Sequence, residues 1–142
     1  MVKFHMEFSE PVGQFLKEPN FMVLSTLFPD GSIQSTIVWF KYTGENFLIS
    51  TVKGRVKYKN LVRDPKTTLV IYDRNNSYRY VQVKGVTESI TESGAHKLID
   101  DLSLHYVGLT PYHGDPDHKQ ERVVISIKPT KYFSVGFDKP II

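Results

Sequence analysis

The chain has 142 residues, of which 40% are hydrophobic and 23% charged, and its 18 lysines and arginines exceed its 15 aspartates and glutamates by three. This composition predicts one globular domain over residues 1–142 and excludes disordered, collagen-like and coiled-coil proteins. No cysteine is present. Disulfides, thiolate metal sites and cysteine nucleophiles are therefore excluded, and we expect a cytoplasmic protein.

Membranes and nucleic acids are poor candidates for partners. The densest apolar cluster, Ile37 to Phe40, has four residues, far fewer than the roughly 18 that a membrane-spanning helix needs. Glu7, Glu10 and Pro11 stand where a secretory signal would carry its apolar segment, so export is not expected. The net charge of +3 suits an anionic ligand but is too small to indicate nucleic-acid binding by itself.

The hydrophobic pattern predicts three helices and six or seven strands in a small, mostly antiparallel barrel. A short helix follows Ser9 and stops before Pro19, and the longest helix follows a Thr91 cap. The predicted helices end at residue 18 and span 55–64 and 92–107; the predicted strands span 21–27, 32–41, 47–51, 67–72, 78–86, 122–127 and 131–135. Short turns join the first three strands, which favours consecutive antiparallel pairing.

Two segments, Phe21 to Leu27 and Ile37 to Phe40, are apolar on both faces of their predicted strands. An antiparallel sheet normally leaves one face in water, so another element must cover this surface. A helix packed on the barrel explains the pattern as well as a flat homodimer interface that includes Trp39 and Tyr80. Both explanations remain open at this stage.

The segment from Ser50 to Asn60 is the most informative part of the chain. A strand ends in the hydroxyls of Ser50 and Thr51, a flexible glycine follows, and a helix then opens beside Arg55 and Lys57. Hydroxyls, backbone N–H groups at a helix start and two cations are what a phosphate group requires. The alternative is an ordinary solvated helix face with basic residues.

Two further clusters admit a functional interpretation. The loop from His113 to His118, with His105 upstream, carries metal-ligand types, but its glycine and prolines favour a solvated or substrate-covering loop, and we predict no metal site. The run from Tyr78 to Tyr80 interleaves aromatic and basic residues as a single-strand nucleic-acid platform would, yet cross-strand aromatic packing explains it better. Hydrolase, nucleoside triphosphatase and Rossmann motifs are absent.

The ordered runs LSTLFPDGSIQSTIVWF, FLISTVKGRVKYKNLVRDPKTTLVIYD and YVQVKGVTE, closed by ERVVISIKPTKYF, resemble the pyridoxamine 5'-phosphate oxidase-like superfamily of split β-barrel flavin and deazaflavin proteins. The Pro-Asp-Gly turn and the Lys-x-x-Asn-Leu-x-Arg-Asp-Pro helix are most similar to the branch of coenzyme F420-dependent oxidoreductases. The resemblance implies a split-barrel domain that forms a homodimer, with FMN or F420, slightly favouring F420, bound between the subunits.

The resemblance also implies which residues touch the cofactor. Ring contacts, partly through backbone groups, would come from Gln34, Ser35, Thr36, Ile37 and Val38. Contacts to the ribityl-phosphate side would come from Ser50, Thr51, Arg55, Lys57 and Asn60. Tyr80 occupies the strand position from which the partner subunit reaches the cofactor.

The function expected from this resemblance is hydride transfer between the bound cofactor and a small organic substrate. The closing segment ERVVISIKPTKYFSVGF lacks the Trp, Arg and His residues with which true pyridoxamine-phosphate oxidases hold their substrate, so vitamin B6 oxidation is not expected. No catalytic residue is assigned; Tyr112, His113 and His118 are the only candidate acids or bases. The alternatives are a non-catalytic flavin carrier or sensor and a small basic nucleic-acid-binding barrel.

Overall fold

A computed structural model describes residues 6–137; the first five and last five residues of the predicted domain lie outside the described residues. The protein is mainly β, with seven antiparallel strands curled into a half-barrel and three helices, which confirms the predicted split-barrel class. In chain order the elements are α1 (Glu10–Leu16), β1 (Phe21–Leu27), β2 (Ile33–Val38), β3 (Lys41–Tyr42), β4 (Phe47–Val52), α2 (Val56–Arg63), β5 (Lys66–Tyr72), β6 (Tyr80–Thr91), α3 (Ala95–Val107) and β7 (Arg122–Val135).

The strands follow the order β2-β1-β5-β6-β7-β4-β3, so β2 forms one edge of the sheet. The predicted hairpin of β1 and β2 is confirmed, and its turn is closed by Asp30, whose Oδ1 accepts hydrogen bonds from both the N–H and the hydroxyl of Ser32. The expectation that the third predicted strand, observed as β4, pairs with β2 is wrong, because β4 pairs with β7. The chain leaves the sheet at Trp39 and Phe40, which ends β2 before a second pairing can form.

The C-terminal half also differs from the predicted boundaries. β6 extends to Thr91, so Thr91 is a strand residue and does not cap α3; Gly94, at a φ of 80°, precedes that helix instead. The last two predicted strands are one 14-residue strand, β7. It continues through Pro129 because the register shifts there, opposite Gly85, so that the proline's missing N–H is tolerated.

Alternate residues of the strands fill the half-barrel, and α1 closes it with Val12, Phe15 and Leu16, as predicted. The other large members of this core are Met22, Leu24, Phe40, Phe47, Ile49, Leu61, Leu69, Ile71, Val81, Val83, Val123, Ile125 and Ile127. Because these residues are buried, the opposite positions of the same strands form a second surface.

We call that second surface the outer apolar face. It is a row of directly opposed residues from β2 to β7, in the order Ile37, Val23, Val70, Gln82 and Phe133. Ile37 is 62% exposed and Phe133 is 49% exposed. The helix explanation is supported directly after β2, where Tyr106 of α3 stacks on Trp39 and its hydroxyl accepts a hydrogen bond from the Phe40 N–H. The outer apolar face has no cover in the single chain.

Candidate functional site

A basic turn, residues 53–57, connects the end of β4 to the start of α2. Gly54 adopts a φ of 94°, a conformation that favours glycine, and so lets the chain reverse direction here. Arg55 is the N-cap of α2, and in the described chain neither a side-chain hydrogen bond nor an acidic residue satisfies the first helical turn. Backbone N–H groups and the helix dipole make such a terminus attractive to anions.

The cations of the basic turn are not equivalent. Lys53 forms an ion pair with Glu92, and this hydrogen bond lowers the pKa of the Glu92 carboxyl. Neither Arg55 nor Lys57 forms an ion pair with any residue between 6 and 137. Burial lowers the pKa of the half-buried Lys57, and the neighbouring charge of Arg55 lowers it further. An anion bound here would balance both charges.

A third cation, Arg122, lies at the start of β7 directly opposite Val52. Only 8% of Arg122 is exposed, and its guanidinium donates to Gln120 Oε1 at 2.8 Å and to Ser50 Oγ at 3.4 Å. The ring of Tyr112 lies 5.0 Å from the guanidinium carbon. Sequence reasoning missed this residue, because a single arginine ahead of an apolar strand carries no pattern.

The other predicted phosphate-side residues serve partly as structural links. The Ser50 hydroxyl donates to the Ala95 carbonyl at 3.2 Å, which attaches α3 to β4. The buried Asn60 amide donates to Thr26 Oγ1 at 3.1 Å, and its oxygen accepts from Arg63. Thr51 is also buried. Ser50 and Asn60 thus position the elements that carry Arg55 and Lys57.

The five predicted ring-side residues form most of the edge strand β2, and they alternate between its faces. Ser35 and Ile37 lie on the outer face, where the Ser35 hydroxyl is hydrogen-bonded to Ser25 at 2.8 Å. Gln34, Thr36 and Val38 point to the other face, and Thr36 Oγ1 is buried with no partner among the described residues. Since β2 pairs on one side only, it can present backbone donors and acceptors to a planar ligand.

Aromatic contacts connect the end of the ring-side strand β2 to Arg122 at the start of β7. Trp39, directly after β2, stacks on Tyr106 of α3 with ring centroids 5.4 Å apart. Its ring also meets Tyr112 edge-on at 6.1 Å, and Tyr112 covers Arg122. The side chains of Trp39 and Tyr112 therefore connect the end of β2 with the start of β7, although three strands separate β2 from β7 in the sheet order.

Tyr80 lies on the outer side of β6, directly opposite Tyr72 and Val135. Its ring meets Phe133 at 6.4 Å. Tyr80 thus extends the outer apolar face and is remote in sequence from every other predicted site residue.

The loop between α3 and β7 is organised by hydrogen bonds to carboxylates. Asp100 of α3 accepts from the Tyr112 N–H at 2.8 Å and is 3.0 Å from His118 Nε2. The His118 ring stacks on His96 at 4.6 Å, and His113 is exposed. Within residues 6–137 no group of three or more His, Asp or Glu side chains is arranged to hold a metal ion.

The clefts of the single chain lie away from the basic turn. One, of about 300 Å³, is lined by residues that include Leu16, Phe40 and Leu102, and a more open one lies beside Phe8, Tyr42 and Lys128. Neither of these two clefts is lined by Arg55 or Lys57.

The remaining alternatives can be compared with the geometry. Arg79 of the predicted nucleic-acid platform lies between the rings of Phe15 and Phe137, at 4.9 and 4.6 Å, and pairs with Asp73 at 3.2 Å. The side chain of Arg79 is therefore already engaged in ring contacts and an ion pair within the domain. No helix in the described part of the chain is long and apolar enough to cross a membrane.

The curled sheet, its edge strand and the strand-to-helix turn define a split β-barrel protein. The profile of the pyridoxamine 5'-phosphate oxidase family matches residues 8–136. The chain therefore belongs to the pyridoxamine 5'-phosphate oxidase family, which confirms the resemblance noted in the sequence.

Solved structures agree with this assignment. An F420 reductase is 30% identical with a TM-score of 0.78, over 89% of this chain and 98% of that chain. A conserved hypothetical protein from Mycobacterium tuberculosis is 24% identical, with a TM-score of 0.73 over 94% and 88% of the two chains. The heme storage protein HutZ from Vibrio cholerae shares the fold at 14% identity, with a TM-score of 0.66 over 93% and 97%. A search of curated proteins finds no match.

Proposed function

We propose that the protein is an oxidoreductase that binds FMN or coenzyme F420 between two subunits and exchanges hydride between that cofactor and a small organic substrate. One observation carries the proposal. Arg55 and the half-buried Lys57 stand, without a carboxylate partner among the described residues, at a helix start that no side chain caps. The 30% identity to an F420 reductase supports the same class.

The residues present fit such a cofactor. Arg55, Lys57 and the N–H groups of α2 would hold the phosphate, with Thr51 close by at the end of β4. The edge of β2, from Gln34 to Val38, would meet the ring system. The orphan hydroxyl of Thr36 supports a polar ligand on this strand. When bound, the cofactor supplies the hydride chemistry, and the protein orients it and excludes water.

The homodimer is part of the proposal. The outer apolar face exposes Ile37 and Phe133 to a large extent, and Ile33, 66% exposed, extends it along β2. Large apolar side chains exposed together on one face are typical of an interface, even though Gln82 and Ser35 lie among them. A second subunit there would also bring its own Tyr80 to the cofactor and close the open side of the anion site.

The first test is cofactor binding. The absorption spectrum of the purified protein and mass spectrometry of any released small molecule identify a co-purifying cofactor. Titrations with FMN and F420, each compared with its phosphate-free form, measure the contribution of the phosphate. We expect wild-type protein to bind at least one cofactor much more tightly than its phosphate-free form.

The variant Arg55→Ala/Lys57→Ala tests the site itself. Each charge-assisted contact is worth about 1.5–3 kcal/mol, so cofactor affinity should fall at least about tenfold while affinity for the phosphate-free form stays unchanged. Lys59→Ala, which removes a charge from an exposed position of the same helix, is the matched control. Unchanged cofactor affinity in the double variant would overturn the site, and no binding by wild type would overturn the function.

Turnover separates an enzyme from a carrier or sensor of the same cofactor. Loss of a candidate substrate in step with a change in the cofactor's absorption supports the oxidoreductase. A bound cofactor whose redox state never changes with any tested alcohol, quinone or enone would favour the carrier. Vitamin B6 phosphates are expected to be poor substrates, because the closing strand lacks the residues that would hold them.

A further inference from the structure

Arg122 is a buried cation whose direct side-chain contacts, Ser50, Gln120 and Tyr112, are neutral groups. It is 8% exposed and forms no ion pair with residues 6–137. Its hydrogen-bond acceptors are the Gln120 amide oxygen and the Ser50 hydroxyl, and its Nε is buried with no partner in this part of the chain. Buried charges are normally paired, because removal from water is costly.

Neighbouring charges make this arrangement less favourable. Burial lowers the pKa of the Arg122 guanidinium, and the positive charge of Arg55 adds to the effect, while Tyr112 and Asp115 oppose it. Asp115 does not neutralise Arg122 by contact, since its two oxygens accept from the N–H groups of Lys119 and Gln120 at 2.9 and 2.8 Å. Arg122 therefore belongs to the same group of cations as Arg55 and Lys57.

The nearby acids leave this group unbalanced. Glu92 forms an ion pair with Lys53, and the negative charge of the exposed Glu121 raises the pKa of Lys53 as well. Ser50 links the two parts of the group, because it lies at the end of β4 ahead of the basic turn and contacts the Arg122 guanidinium. An anion at the basic turn would thus meet a cation from β7 as well as the two at the start of α2.

We propose that Arg122 is a third cationic ligand of the anion site, so that the site is built for a group carrying two negative charges. This inference rests on the proposed function. Two sources share the required chemistry: the dianionic phosphate monoester of FMN, and the phosphodiester of F420 with its adjacent carboxylate. Tyr112 and Gln120 hold the guanidinium in place, which makes the loop between α3 and β7 part of the binding site.

The test uses two charge-removing variants, Arg122→Gln and Arg122→Met, in the full chain. Affinities are measured for FMN and riboflavin, and for F420 and its phosphate-free riboside. For each cofactor we compare its affinity with that of its phosphate-free form. We expect this ratio to fall at least about tenfold in both Arg122→Gln and Arg122→Met, and by a smaller factor in Arg122→Lys. The cofactor whose ratio falls identifies the source of the anion. Lys119→Gln, an exposed charge on the same loop, should leave the ratio unchanged.

Thermal unfolding of the ligand-free variants provides a second readout. Removing an unbalanced buried charge should leave the melting temperature unchanged or raise it in Arg122→Met, whereas a purely structural arginine would lower it. Equal losses for phosphorylated and phosphate-free ligands, with a lower melting temperature, would overturn the proposal. An unchanged ratio in a folded variant, while Arg55→Ala/Lys57→Ala lowers it, would overturn Arg122's role and leave the proposed function standing. If wild type binds neither cofactor, both proposals fail.

Discussion

Replacing Phe133 by serine should weaken the proposed dimer by an amount that the structure lets us calculate. Phe133 is 49% exposed on the outer apolar face. Complete burial of such a side chain is worth about 1.5–3 kcal/mol, so burying the exposed half contributes about 0.7–1.5 kcal/mol. A twofold interface contains two copies, which gives about 1.5–3 kcal/mol and raises the dissociation constant about 10- to 150-fold.

Sedimentation velocity over a dilution series, without added cofactor, measures this constant. Leu104→Ser is the matched control, because Leu104 is 54% exposed but lies on α3, away from the outer apolar face. Circular dichroism should show both variants folded. A monomeric wild type, an unchanged constant in Phe133→Ser, or an equal loss in Leu104→Ser would refute the argument that this face joins two subunits.

Three further predictions concern two glycine positions, the titration of a buried tyrosine and stability in acid. Gly85→Ala places a Cβ 2.7 Å from an isoleucine methyl group of β7 and should cost about 1–3 kcal/mol in urea unfolding, whereas Gly13→Ala, with open space on α1, should stabilise by about 0.5–1 kcal/mol. Burial raises the pKa of Tyr106 to about 12, so Tyr106→Phe should delete the last step of an ultraviolet tyrosine titration. A hydrogen bond from the Asn75 N–H lowers the pKa of Asp73. The stabilisation that the ionised Asp73 carboxylate provides is present above about pH 4 and is lost as the pH falls and the group is protonated. The free energy of unfolding of Asp73→Asn should therefore decrease less between neutral and acidic pH than that of the wild type.

The local features of the fold could be predicted because they depend on short patterns. Alternation of apolar residues located the strands, and the proline-bounded basic segment located α2 between Arg55 and Asp64 to within a residue. The pairing of β4 with β7 could not be predicted in the same way. The two segments are separated by about 70 residues of chain, and no local signal distinguishes this partner from β2.

The candidate site divides in the same manner. Arg55 and Lys57 are close in sequence and share one turn, so their spacing raised an anion site as one of two interpretations, the other being a solvated basic helix face. Arg122 and Tyr112 lie near the end of β4 only through sheet pairing and the folding of a long loop, which leaves no motif in the sequence. Conversely, no sequence pattern indicates that the Asn60 amide is hydrogen-bonded to Thr26 inside the domain.

The edge strand β2 has a consequence for how the molecule assembles. Its free side offers a row of main-chain hydrogen-bonding groups, and the side chains of Ile33 and Ile37 on it are 66% and 62% exposed. An isolated subunit is thus a template onto which a foreign or misfolded chain can add a strand. The proposed dimer would cover these two isoleucines and would therefore also oppose such fibrillar growth.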